Sequence, residues 1–137
     1  MQLDPSAFLA DPELFQELQK RATPIVCDED RVLFRQGDAP AGMYILANGE
    51  ATISMNGEGG EPLMSAQTTA GSVLGLPSLI GNQPFSLSAT ARCGSQVSFI
   101  ALNDFNALIQ SQPQLLIKVL QVLAAEVRSA RMAITHL

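Results

Sequence analysis

Between Thr23 and Leu102 the chain breaks into short β-rich runs, while both flanks read as helix. This switch of apolar period, from about 3.6 to 2 and back, constrains the fold more than any other feature. The runs are TPIVC, RVLFR, GMYIL, EATISM, LMSAQT, FSLSATARC and QVSFIAL. Turn signals separate them: DED, QGDAPAG, ANGE, NGEGGEP, AGS and CGS. Seven or eight short strands at spacings of roughly 8–12 residues predict a sandwich or barrel. In MNGEGGEP the Asn56-Gly57 pair predicts a hairpin tip with positive φ at those residues. Among 137 residues there is room for one domain with a real core, and nothing marks a second domain, a repeat or a low-complexity tract.

The flanking helices follow from capping and spacing. Asp11-Pro12 is a helix start, a capping carboxylate followed by Pro at the first helical position. Leu14, Phe15 and Leu18 then recur at helical spacing within a helical stretch at 5–22, its helix over 8–22. Asn103 is the expected cap of a helix carrying Phe105, Leu108 and Ile109 on one face. Residues 113–137 contain no internal Gly and no Pro after Pro113, and predict one long helix. The single domain 1–137 thus divides into an N-terminal helix (8–22), a β-roll (23–102) and C-terminal helices (103–137).

The long helix repeats Leu116, Leu120, Leu123, Val127, Ala130, Ile134 and Leu137 at steps of 4, 3, 4, 3, 4 and 3. That is the seam of a two-stranded coiled coil. With Leu120, Val127 and Ile134 at a, Glu126 falls at g and Arg131 at the following e, the pair that bridges a parallel homodimer. A second stripe, Leu115, Val119, Val122 and Met132, is expected to face the β-roll.

Composition excludes several function classes. Thirteen acids against eight bases give a net charge of −5. That opposes a broad grip on nucleic acid, which depends on Lys and Arg neutralising phosphates. The only His is His136, and two separated cysteines, Cys27 and Cys93, form no CxxC. No His/Cys metal set and no Ser-His-Asp or Cys-His set assembles from these, so neither a metal cofactor nor an enzyme is expected. Both thiols read as small buried hydrophobes in a cytoplasmic protein. No apolar run reaches the roughly 18 residues of a membrane span, and no signal peptide is expected.

Val32–Met55, VLFRQGDAPAGMYILANGEATISM, resembles the cyclic nucleotide-binding domain. Gly37-Asp38 follows an apolar strand, Met43-Tyr44-Ile45-Leu46 forms the next, and Gly49-Glu50 comes two residues later. Gly37 and Gly49 sit where the chain reverses, at positions that favour positive φ. The order of elements agrees over nearly all of residues 8–137. The resemblance implies a mainly β fold: an eight-stranded jelly-roll β-roll with an N-terminal helix, a short cassette helix and a long C-terminal dimerisation helix. Phe34 and Pro40 depart from the family's pattern, where a smaller aliphatic and a small residue are usual.

The same resemblance puts Gly71–Ala91, GSVLGLPSLIGNQPFSLSATA, at the family's phosphate-binding cassette. There a Gly-Glu-Leu holds the ribose through its Glu, and an Arg after a short helix holds the cyclic phosphate. Leu74-Gly75-Leu76 falls on the first motif and Phe85 on the Arg, with Ser86 keeping a hydroxyl beside it. Ser78 and Leu87 complete the candidate ligand-binding set. No Arg lies between Arg35 and Arg92. Loss of both charged groups weakens cyclic-nucleotide binding by about two orders of magnitude or more, at tenfold per 1.4 kcal/mol. Arg92 from the strand end, and Arg128 and Arg131 from the long helix, are the bases within conceivable reach.

The expected function is therefore a stand-alone regulatory or ligand-sensing module, homodimeric through its last helix and coupled to an unidentified protein partner. A small molecule is its expected ligand; cyclic AMP or GMP bound in the usual way is disfavoured, and no cofactor is expected. The alternatives are a ligand-independent interaction or scaffold domain, or the sensory part of a transcription regulator whose DNA-binding domain is absent. As given, the chain offers no recognition helix and no direct nucleic-acid binding, and no membrane association.

Overall fold

The computed structural model describes residues 3–135. Among these, eight strands form two four-stranded antiparallel sheets. One sheet has the order β1 (Thr23–Ile25), β8 (Gln96–Ala101), β3 (Gly42–Asn48), β6 (Ser72–Leu74). The other runs β2 (Arg31–Phe34), β7 (Ser88–Ala91), β4 (Glu50–Asn56), β5 (Pro62–Thr69). The helices are α1 (Pro12–Lys20), α2 (Leu76–Gly81), α3 (Leu102–Ser111) and α4 (Leu116–Thr135). The eight-stranded roll with flanking helices is as expected.

Alternation decides what each strand buries. In β5, Met64, Ala66 and Thr68 point inward while Ser65, Gln67 and Thr69 face solvent. In β7, Ala89 and Ala91 are buried between half-buried Ser88 and Thr90. The small Ala side chains let the sheets approach, and Ile53, Leu46 and Phe34 fill the space between them. A second apolar cluster joins Leu14 and Leu18 of α1, Phe105 and Leu108 of α3, and Val119 and Val122 of α4 to Met43, Ile45 and Ile100 of the roll.

Several local expectations are corrected. The N-terminal stretch is a 3-10 turn, Pro5–Phe8, followed by α1 from Pro12, not one helix over 8–22. Asp11 does cap α1, accepting from the Glu13 N–H at 2.9 Å. The helix expected after Asn103 begins at Leu102, capped by Ala101 without a side-chain bond. Its first donor is satisfied instead by the Ala41 carbonyl, at 3.1 Å from the Leu102 N–H. At the β4–β5 tip the positive φ falls on Gly60, at 85°, and not on Asn56-Gly57. Gly57 instead closes the loop by donating to the Glu61 carbonyl at 2.8 Å. Gly37 and Gly49 both have φ of 94°, as their turns require. The long helix opens with a 3-10 turn, Pro113–Leu115, before α4. Cys27 is buried, but Cys93 is exposed, because it lies in the turn between β7 and β8.

The larger correction concerns α4. Its inner face, continued from Leu115 of the preceding 3-10 turn, is Val119, Val122, Glu126, Ser129 and Ala133, all buried. Met132, expected on that face, is 57% exposed. Glu126, expected at the coiled-coil g position and paired with Arg131, instead points inward. The helix register is set at its first turns, where Leu115, Val119 and Val122 drop into the core. The same 3–4 spacing then carries Glu126 to the inside. The seam residues Leu116, Leu120 and Val127 are exposed, and Leu123 and Ala130 are half-buried. Leu137, His136 and the side chain of Ile134 lie outside the described residues.

Candidate functional site

The cassette is built on Gly75. Its φ of 89° turns β6 into α2, and it stands as the helix N-cap with no side-chain bond. A Cβ at this position would lie 2.8 Å from Cε1 of Phe85. Even Ala is thus opposed twice here, by left-handed backbone strain and by an aromatic ring. Phe85 is buried and stacks on Phe34 of β2, with ring centroids 4.0 Å apart and planes at 20°. Phe34 in turn stacks on Tyr44 of β3 at 5.7 Å, and Tyr44 meets Phe99 of β8 at 5.2 Å. The four rings form a ladder between the sheets, each such pair adding about 0.5–1.5 kcal/mol beyond burial.

Backbone bonds lock Phe85 in place. Its N–H donates to the Asp38 carbonyl at 2.9 Å, and its carbonyl accepts from the Gly37 N–H at 2.8 Å. This tie to the β2–β3 turn explains why β7 begins at Ser88 and not at Phe85. Behind the ring, the Ser78 hydroxyl donates to the Pro84 carbonyl at 3.3 Å and closes the loop after α2. The segment Ser72–Leu74, not among the expected strands and with only Ser72 in the Ala-Gly-Ser turn signal, is strand β6, pairing Val73 with Ile45. All three of its residues are buried, so no alternation betrayed it.

A cavity of about 150 Å³ lies between the cassette and α4. Pro77, Ser86 and Leu87 of the cassette, Met55 of β4 and Phe8 of the N-terminal turn meet Glu126 across it. Of the candidate residues, Ser86 and Leu87 come together here with Val127 and Ala130 of the expected seam. Leu74 and Leu76 sit in the core, Gly75 and Phe85 face each other, and Ser78 is spent on the loop; none of these five lines the cavity. Leu3, Phe8, Met55, Pro77 and Glu126 line the wall without having been expected there. The signal for Glu126 was the inner 4–3 spacing from Leu115 through Val119 and Val122.

Glu126 dominates the electrostatics. It is 9% exposed, and its Oε2 has no hydrogen-bond partner among the described residues. Burial alone pushes its pKa up to about 8, since the carboxylate loses water and gains nothing in return. No other titratable side chain lines this cavity among the described residues. Arg92 points elsewhere and pairs with Glu50 on the outer face of the roll. Arg128 and Arg131 line a groove on the outward side of α4, beside Leu120 and Val127. Among the described residues no group of three His, Cys, Asp or Glu side chains is placed to hold a metal ion. No described helix is long and apolar enough to cross a membrane.

Comparisons with known proteins agree with this architecture. The catabolite activator protein of Thermus thermophilus superposes with a TM-score of 0.78 at 23% identity, over 96% of this chain and 62% of its own. This chain therefore spans less than two thirds of that protein's length. The sensor domain of the transcriptional regulator DNR from Pseudomonas aeruginosa gives 0.65 at 21% identity, covering 83% of this chain and 77% of its own. Oxidised CprK in complex with o-chlorophenolacetic acid gives 0.75 at 11% identity, covering 95% and 53%. No curated protein matches the sequence. The sequence profile of the cyclic nucleotide-binding domain matches residues 24–112, from β1 through α3. The chain belongs to the cyclic nucleotide-binding domain family, a family of regulatory ligand-binding domains.

Proposed function

We propose that the chain is a regulatory, ligand-sensing module that does not take cyclic AMP or cyclic GMP in the usual way. One observation carries the reading: the Phe85 ring, stacked on Phe34, fills the space in front of Gly75. By the family resemblance that space belongs to the ribose-binding Glu and the phosphate-binding Arg. Two of the departures from the family pattern, Phe34 and Phe85, pack on each other and form one apolar replacement. A cyclic phosphate entering the neighbouring cavity would find the Glu126 carboxyl and no cation. The CprK complex contains a small aromatic acid, and it supports a non-nucleotide ligand on this fold.

The signal passes through α4. The cavity separates the cassette from the second half of this helix, so an occupant changes how the helix seats on the roll. The outward stripe of Leu116, Leu120, Leu123, Val127 and Ala130 keeps heptad spacing and stays largely exposed, which supports a parallel homodimer that an unidentified protein partner reads. A second reading, the sensory part of a longer transcription regulator, is favoured by the likeness to the Thermus activator and the DNR sensor domain. The module contributes recognition and coupling and performs no catalysis.

A thermal-shift measurement tests the first claim. Millimolar cyclic AMP or GMP leaves the melting temperature unchanged within about 1 °C, whereas a rise of several degrees overturns the reading, because specific binding stabilises the folded state. Sedimentation at micromolar concentration tests the second. A dimer is expected, and Leu120→Arg, at an exposed seam position, converts it to a folded monomer. A wild-type monomer refutes the dimer.

A further inference from the structure

The geometry points to a small amine as the ligand of the cavity between the cassette and α4: a benzene-sized apolar body whose N–H donates to the Glu126 carboxyl. The inference rests on the cassette cavity being the sensing site and names what it recognises. Glu126 is a carboxyl on the inner face of a helix, nine-tenths buried, with Oε2 aimed at no donor among the described residues. An unpartnered buried acceptor is costly, and a donor brought by a ligand relieves that cost.

The walls select the rest of the molecule. Phe8, Met55, Pro77 and Leu87 are apolar, and Ser86 adds one hydroxyl at the edge. A volume of about 150 Å³ matches an apolar cavity that holds one benzene ring. Carboxylic acids and phosphates are disfavoured, because the wall offers an anion no Arg, Lys or His to carry its charge. An ammonium group gains more: Glu126 gives up its proton to solvent and becomes the anionic half of a charge-assisted pair. Entry is open along the edge at exposed Ser86, away from the seam. The carboxyl also stands on α4, so the group that recognises the ligand belongs to the helix proposed to carry the signal.

Calorimetric titration of the full chain at neutral pH, with benzylamine, benzyl alcohol and benzoate as probes, tests this. Benzylamine should bind roughly tenfold or more tightly than its uncharged isostere benzyl alcohol, the worth of one charge-assisted bond. Benzoate should bind more weakly than either, since the wall holds no cation for it. In Glu126→Gln, of the same shape, the preference for benzylamine should fall to within about twofold. The carboxyl carbon resonance of labelled Glu126 should move on adding benzylamine. Benzyl alcohol binding as tightly as benzylamine overturns the amine assignment and leaves the cavity as an apolar ligand site. A preference that survives Glu126→Gln removes the carboxyl as its cause. Failure of all three probes to bind at millimolar concentration also overturns the inference, while the non-nucleotide reading of the cassette stands or falls on the cyclic AMP experiment alone.

Discussion

The two halves of α4 rest on the molecule in different ways. Leu115, Val119 and Val122 enter an apolar cluster shared with α1, α3 and the roll. Lys118 reinforces this half, with Nζ 2.8 Å from both Asp11 and Glu13 at the start of α1. One turn further on, the inner face changes character. Glu126 faces a cavity, Ser129 accepts a hydrogen bond from the Asp4 N–H at 2.8 Å, and only Ala133 joins the core. The first half is held by close packing. On its inner face the second half meets the roll through the Asp4–Ser129 hydrogen bond and small contacts, over a partly filled space. A helix seated this way is fixed at one end and adjustable at the other, which suits the proposed sensing role.

The largest expected effect is on pH dependence, and it comes from the adjustable half. The Glu126 carboxyl ionises near 4.5 when unfolded and near 8 when folded. Between these values the unfolded chain has released a proton that the folded protein still holds. Stability therefore falls as pH rises across this window, by at most about 1.4 kcal/mol per pH unit, and levels off above it. Glu126→Gln lacks the titration, so denaturant melts of the two proteins should converge near pH 5 and separate towards pH 8. Parallel curves would mean that Glu126 is solvated and that the two halves are alike.

Next in size is the fixed half. Leu115 is fully buried, and Leu115→Ala should cost about 3 kcal/mol in chemical denaturation, as transfer and cavity terms add. A cost under about 1 kcal/mol would show that the first turns of α4 are not the anchor. The smallest effect is expected at Ser129→Ala, which leaves the Asp4 N–H without its acceptor and should cost about 1 kcal/mol. Hydrogen exchange sharpens the contrast. That substitution should raise exchange over residues 126–133 and leave 116–122 unchanged.

Much of the roll was legible in the chain. Strand runs with alternation, such as LMSAQT, emerged close to their observed places because one face of each is buried and the other wet. The Asp11-Pro12 start was legible because capping is local. What failed was non-local. β6 shows no alternation because all three of its residues are buried, and α3 takes its first partner from Ala41, some 60 residues upstream in the chain. At the cassette the absence of Arg and Glu was visible in the sequence, but that Phe34 and Phe85 meet was not. They lie about 50 residues apart and touch only because β2 and the cassette close over the same space.

By itself the sequence determined the order of elements, the reversals at Gly37 and Gly49, the heptad stripe and a cassette without charge. These depend on local spacing and residue type, which survive translation along a line. The tertiary structure alone decided which way α4 faces. The inner and outer stripes lie one residue apart, about 100° around the helix, and both are apolar enough to be buried. Leu115, Val119 and Val122 settle the choice by filling the core between α1 and α3, and a rigid helix then carries Glu126 to the cavity with them.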